Sequence, residues 1–358
     1  MSQILKHILI TGGAGFVGSN LGLLLKRDNP GVRVTALDNL KRRGSELNLP
    51  RLRKGGIQFT HGDIRNREDL NTIPAFDLIL ECSAEPSVLA GYDGLPDYVV
   101  NTNLMGTVNC LEAARLHGAN MVFLSTSRVY PIETINKLNF EEGETRFELS
   151  IEQTVSGIGP RGLDETFPLE GGRSLYGTTK LCSEFLLQEY IAMYGMKGVI
   201  NRCGVLTGPW QMGKVDQGVV VHWAAQHVFG GELAYIGYGG MGKQVRDVLH
   251  VEDLYDLINF QLEQLDKHNG KVYNVGGGRE VSLSLLELTR LCQKASGRNL
   301  SINSVPETRS GDMPLYISDC TKVELANGWK PRHQPEEIID EIVQWISDNK
   351  NSLRPVLC

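Results

Sequence analysis

An α/β protein with a doubly wound parallel sheet and a smaller C-terminal α/β lobe is the fold class this sequence predicts. Three observations predict it. Through the first half, short apolar β-rich runs alternate with helical patterns, the order in which a chain lays down a parallel sheet covered on both faces. The first of those runs leads directly into a glycine turn that opens a helix. At 358 residues the chain also exceeds the usual single-domain size, which leaves material for a second lobe.

The strands are expected at His7–Thr11, Arg33–Leu37, Gln58–His61, Leu78–Cys82, Met121–Ser125 and Gly198–Arg202. Phe16–Arg27 carries apolar residues at helical spacing, and Asn103–His117 repeats the pattern with Leu104, Val108 and Leu111 on one face. A third helix is expected from Tyr176 to Tyr194. The helices through Leu111 and Phe185 are apolar around much of their circumference, which suits either a helix-to-helix homodimer contact or plain burial. From Thr207 the sequence turns glycine-rich, at Gly208–Gly218 and Gly237–Gly242, and these stretches read as substrate-side loops. Leu283–Ser296 and Glu336–Lys350 read as helices of the smaller lobe, and Arg354–Cys358 as a frayed tail. The resulting division assigns 1–203, with a returning segment near 244–266, to the nucleotide-binding domain, and 204–243 with 267–358 to the second lobe.

With 36 basic and 42 acidic residues the net charge is −6, which excludes a basic footprint for nucleic acid or anionic lipid. The seven cysteines show no C-x-x-C pair and no metal-ligand spacing, so reduced thiols in a cytoplasmic protein without a metal are expected. Met1–Lys6 runs at once into the first strand, too short for a signal segment or a membrane span, and Cys358 stands last rather than fourth from the end, where a prenylation box needs it.

The turn Thr11-Gly12-Gly13-Ala14-Gly15-Phe16-Val17-Gly18 follows a strand and opens a helix. Gly12 permits the tight turn, Gly15 admits a pyrophosphate to the backbone amides, and Gly18 permits close helix packing, with Phe16 and Val17 beside the phosphates. Asp38 closes the second strand twenty residues after Gly18, where a carboxylate accepts from adenosine ribose hydroxyls, with Asn39 next to it. That carboxylate repels a 2'-phosphate and favours NAD; Lys41, Arg42 and Arg43 keep NADP open as the alternative. Asp63, followed by Ile64, stands after the third strand, either against the adenine amino group or as a strand-end cap.

Tyr176-Gly177-Thr178-Thr179-Lys180 places a phenol and an ammonium one helical turn apart on one face. A cation beside a phenol favours the phenolate, so Tyr176 can act as base and then acid. The strand ending Ser125-Thr126 supplies hydroxyls at the rim of the same sheet.

On these motifs, together with Asn103, the run Arg246-Asp247-Val248-Leu249-His250-Val251-Glu252-Asp253 and Arg309-Ser310-Gly311-Asp312, the chain resembles the extended short-chain dehydrogenases/reductases of the sugar-nucleotide epimerase and dehydratase group, over nearly its whole length. The resemblance implies a Rossmann-type fold, bound NAD and a nucleotide-diphosphate sugar substrate. It implies that Thr126 or Ser125 orients the sugar hydroxyl with Ser127 beside it, that Tyr176 moves the proton, that Lys180 and Asn103 serve the cofactor, and that Arg246 and Arg309 clamp the diphosphate. A guanidinium fork suits that last task.

The dehydratases of the group carry an Asp-Glu pair after the position of Thr126, whereas this chain has Ser127-Arg128-Val129-Tyr130. Without that acid and base, oxidation followed by re-reduction on the opposite face is the economical chemistry. Three stretches resemble the CDP-paratose (CDP-tyvelose) 2-epimerases: Asp38-Asn39-Leu40-Lys41-Arg42-Arg43-Gly44, Asp216-Gln217-Gly218, and Gly242-Lys243-Gln244-Val245-Arg246-Asp247. The insert between Tyr130 and Tyr176 has the length of that family's. Cys82-Ser83-Ala84-Glu85 and Arg202-Cys203-Gly204-Val205 depart from the group's usual segments. A UDP-sugar 4-epimerase, a net NAD(P)-dependent sugar-nucleotide reductase or dehydrogenase, and a non-catalytic dinucleotide sensor are the alternatives.

Overall fold

The structure, a computed structural model, describes residues 5–92, 95–214 and 217–358; the first four residues of the N-terminal segment and Asp216, both named above, lie outside them. The chain divides into two compact units. Unit 1 comprises the residues up to 129, 175–202 and 254–273, and unit 2 comprises 130–174, 203–253 and 274–358.

Unit 1 is built on β1 (His7–Thr11), β2 (Arg33–Asp38), β3 (Gln58–His61), β4 (Leu78–Glu81), β5 (Asn120–Thr126) and β6 (Gly198–Cys203). With Val272–Val275 as the seventh strand, the order across the sheet is Val272–Val275, β6, β5, β4, β1, β2, β3. β1 pairs in parallel with both β2 and β4, so the order reverses at β1 and opens a crevice at the carboxyl ends of these strands. All five residues of β1, all four of β4 and all seven of β5 are buried, which is why they read as continuous apolar runs. One core cluster joins Leu9, Leu37, Ile79 and Phe123 of the sheet to Leu111 and Leu187 of the covering helices.

The covering helices are α1 (Phe16–Asp28), α2 (Gly106–His117) and α3 (Leu175–Tyr194). The single helix expected from Asn103 is two pieces, a π-helical turn over Asn101–Met105 followed by α2. Gly106 sits at the junction because a Cβ there would meet Ile64 Cδ1 at 2.5 Å.

Unit 2 has a four-stranded sheet around Val245–His250, which pairs in parallel with Val205–Thr207 and Leu315–Tyr316 and antiparallel with Ser282–Ser284. Those pairings place Val245–His250 in unit 2, so the segment returning to unit 1 is 254–273 rather than 244–266, and the insert 130–174 groups with unit 2. The expected helix from Leu283 begins at Leu285, after the strand, with Ser284 closing a capping box on Glu287. The tail expected to fray is helical over Lys350–Leu357, since Leu353 and Leu357 recur four residues apart and are both buried. Among the described residues no helix is long and apolar enough to cross a membrane.

Candidate active site

The carboxyl edge of the unit 1 sheet gathers most of the expected residues. Gly12 follows β1 with φ +63°, a conformation glycine adopts freely, and a Cβ there would lie 2.9 Å from the Cys82 carbonyl oxygen. Gly15 is the N-cap of α1 and offers no side chain, and no acidic residue occupies the helix's first turn. A Cβ on Gly18 would come within 2.4 Å of the Gly12 carbonyl oxygen, so the helix starts hard against its own turn. Phe16 and Val17 are partly exposed at the helix start. The result is a small, side-chain-free cradle at a helix N-terminus, which fits a dinucleotide pyrophosphate.

Asp38 is tied to this cradle. Its Oδ2 accepts from the Ala14 amide at 3.1 Å and its Oδ1 from the Leu40 amide at 2.7 Å. Burial raises the Asp38 carboxyl above the usual carboxylate range, and the backbone amides of Leu40, Ala14 and Gly15 oppose that rise. Asn39 and Asp63 come together, with Asn39 Nδ2 donating to Asp63 Oδ2 at 2.9 Å. Although burial works in the other direction, Arg65 and Asn39 bring the Asp63 carboxyl down to about 2. Ile64 is buried beneath it. Lys41, which kept the 2'-phosphate reading open, turns its ammonium toward the Tyr98 ring, 5.1 Å from the centroid.

Asn103 is buried and works on the protein itself: its Oδ1 accepts from the Glu85 amide at 2.7 Å, and its Nδ2 donates to the Glu85 carbonyl at 3.1 Å and to Thr179 Oγ1 at 3.2 Å. It thereby fastens the loop after β4 to α3 at the turn between Tyr176 and Lys180.

On α3, Tyr176 is partly exposed and Lys180 buried, with Glu184 one further turn along the same face and also buried. Lys180 Nζ lies 3.4 Å from Glu81 Oε2 and 4.0 Å from the centroid of the Phe123 ring. Glu184 takes a two-pronged ion pair from Arg202, Nη2 to Oε2 at 2.7 Å and Nε to both oxygens at 3.1 Å. Ser125 donates its hydroxyl to Glu184 Oε1. That bond commits the Ser125 proton to a buried carboxylate and leaves its lone pairs as what it can offer a sugar hydroxyl. Thr126 ends β5 with Oγ1 accepting from the Arg128 amide at 3.2 Å, and Ser127 begins the next 3-10 turn, both largely buried.

Arg246 and Arg309 lie in unit 2. Arg246 is half-buried on its strand, donating from Nη1 to the Val245 carbonyl at 2.7 Å and from Nη2 to the Met313 carbonyl at 2.9 Å. Arg309 stands exposed on a loop with Nε 3.4 Å from Asp312 Oδ2. Sequence reasoning missed Glu81 and Glu184, and named Arg202 only as a strand end and in a departing segment, not as the partner of a buried carboxylate. The first two left signals: Glu81 is a lone charge closing the apolar run Leu78-Ile79-Leu80, and Tyr176, Lys180 and Glu184 recur every fourth residue.

Comparison with known proteins follows the same lines. The profile of the "NAD dependent epimerase/dehydratase family" matches residues 8–276. The chain is 31% identical over 349 residues to the CDP-paratose 2-epimerase of Salmonella typhi, covering 95% of this chain and 99% of that protein. It is 30% identical over 359 residues to a dTDP-glucose 4,6-dehydratase of Streptomyces niveus, covering 98% and 95%. Among solved structures, the UDP-glucose 4-epimerase of Thermus thermophilus in complex with NAD superposes with a TM-score of 0.75 at 27% identity, covering 96% of this chain and 99% of that one. DesIV, the dTDP-glucose 4,6-dehydratase of Streptomyces venezuelae, also solved with NAD, gives 0.77 at 27% identity, covering 98% and 100%.

Proposed function

The chain belongs to the NAD-dependent epimerase/dehydratase family, and on that premise we propose that it is an epimerase of a nucleotide-diphosphate sugar, with a CDP-linked sugar inverted at C2 as its preferred substrate class. The observation that carries the choice of epimerisation is the turn after Thr126, where Ser127-Arg128-Val129-Tyr130 offers no carboxylate for water elimination. The buried carboxylates nearest the Tyr-Lys pair are already committed, Glu81 to Lys180 and Glu184 to Arg202.

Bound NAD supplies the two-electron acceptor that takes hydride from a ring carbon and returns it. The glycine cradle would hold its pyrophosphate, Asp38 the adenosine ribose, and Asn39 with Asp63 the adenine end. Tyr176 accepts the proton of the ring hydroxyl as the carbon is oxidised and gives it back on re-reduction, and Thr126 orients that hydroxyl. Lys180, one turn away, makes the phenol acidic enough to serve. Arg246 and Arg309 grip the diphosphate, leaving the sugar free to present its other face while the keto intermediate is retained. The Asp38 carboxylate would repel a 2'-phosphate, which favours NAD over NADP.

The test is to incubate the NAD-loaded enzyme with CDP- and UDP-sugars in deuterated water. An inverted product with no ring-carbon deuterium and no net NADH is expected, with Tyr176→Phe slower by roughly 10²–10⁴-fold at similar KM. Deuterium at the inverted carbon, or stoichiometric NADH, would overturn the reading. We also propose a homodimer formed through the exposed face of α3, where Phe185 and Met193 stand two turns apart; light scattering at the monomer mass would exclude it.

A further inference from the structure

Glu81 is the residue at this site whose role neither the glycine cradle nor the Tyr-Lys pair explains. It closes β4, in register with Thr11 of β1 on one side and Phe123 of β5 on the other. Its side chain is 0% exposed and that of its partner Lys180 2%, and they meet at 3.4 Å. A buried ion pair of this kind is costly to assemble and weak evidence of stability, so its presence one helical turn from Tyr176 calls for another reason. Besides Lys180, the Ser83 backbone amide donates to this carboxylate, while Oε1 and the Thr11 hydroxyl opposite are buried among side chains that offer them no hydrogen bond.

The surroundings contain little else that carries charge. On α2, Cys110 faces the pair, and burial keeps its thiol well above the usual range and therefore neutral. On α3 the next acidic residue is Glu184, whose charge is matched by Arg202 of β6. From β5 comes the Phe123 ring, against which Lys180 rests, and from β1 the Thr11 hydroxyl. Burial raises the Glu81 carboxyl and the Lys180 ammonium works against that rise.

We propose that Glu81 is a positioning residue for the Tyr176–Lys180 pair: its carboxylate holds the ammonium in place and offsets part of the positive charge that the ammonium presents to the phenol. The inference rests on the reading of Tyr176 as the proton-moving group. A bare ammonium in a site of low dielectric stabilises phenolate strongly, and a phenolate made too stable returns its proton poorly. An epimerase needs the same group to take a proton and to give it back within one turnover, so a phenol tuned close to working pH serves both halves. From its fully buried place at the end of β4, Glu81 tempers the ammonium through that ion pair.

The experiment compares the NAD-bound wild type with Glu81→Gln, which keeps the shape and an oxygen for Lys180 Nζ while removing the negative charge. Tyr176 is titrated directly by phenolate difference absorbance, with Tyr176→Phe as the blank, and the pH profile of kcat/KM is recorded alongside. In Glu81→Gln the Tyr176 phenol should titrate about one pH unit lower than in the wild type, and the acid limb of the profile should move with it. An unchanged or upward-shifted Tyr176 titration in a variant that still binds NAD overturns the proposal and leaves Glu81 a packing residue. Should Glu81→Gln not fold, Glu81→Asp, whose charge is drawn back from the ammonium, should shift the same titration down by a smaller amount, and an unmoved titration again overturns it. A wild-type Tyr176 titrating like a free phenol would instead sink the Tyr176–Lys180 reading itself, and this inference with it.

Discussion

Asp247 lies fully buried in unit 2, where its Oδ2 accepts from the amides of Gly278 and Ser318, each at 3.3 Å, and burial pushes its carboxyl up to about 6. A carboxyl whose folded value is raised binds its proton more tightly in the folded state. Its contribution to stability is therefore complete below about pH 4 and is lost as pH rises through 6. Relative to Asp247→Asn, which does not titrate, the wild type should lose about 3 kcal/mol over that window; urea midpoints of both proteins at intervals from pH 4 to 7 give the difference directly, and parallel curves would contradict it. On the cofactor side, Asp38→Ala removes a partly buried acceptor placed for ribose hydroxyls. The expected loss is roughly 10–100-fold in NAD affinity by calorimetric titration, the worth of hydrogen bonds to a charged group.

Among the elements, the turn into α1 tolerates little change. Gly18→Ala would drive a methyl to 2.4 Å from the Gly12 carbonyl oxygen, and backbone there has no room to give. Overpacking of this kind costs about 1–3 kcal/mol and, by displacing the cradle, should abolish NAD retention through gel filtration while the circular dichroism spectrum stays native. The C-terminal helix over Lys350–Leu357 makes the opposite point, since its value lies in what it buries. Leu353→Ala should destabilise the protein by about 2–5 kcal/mol in denaturant titration, whereas a frayed tail would have made it neutral.

For the molecule as a whole, the expected cofactor residues Gly12, Gly15, Asp38 and Lys180 all fall in unit 1. Binding to the folded state alone stabilises by mass action, about 2.7 kcal/mol at a free ligand concentration 100 times Kd. Stripping NAD should thus lower the calorimetric Tm of the transition that contains unit 1 by several degrees, and readdition should restore it. The same scan on Asp38→Ala should show a smaller NAD-dependent shift.

The sequence by itself determined the parallel sheet, the glycine cradle with Asp38, and the Tyr176–Lys180 pair. These are local: a buried strand needs a continuous apolar run, a tight turn needs glycine, and two residues four apart on a helix share a face whatever surrounds them. It did not determine that Ser125 donates to Glu184, that Asn103 fastens the loop at Glu85 to α3, that the insert 130–174 belongs with the second unit, or that Glu81 meets Lys180. Each of those joins residues far apart in the chain, Glu81 and Lys180 by 99 positions, and only the pairing of β4 with β5, against which α3 packs, brings them within reach. Periodicity reports which face of an element is buried; which charge waits on the other side of that interface is a property of the fold.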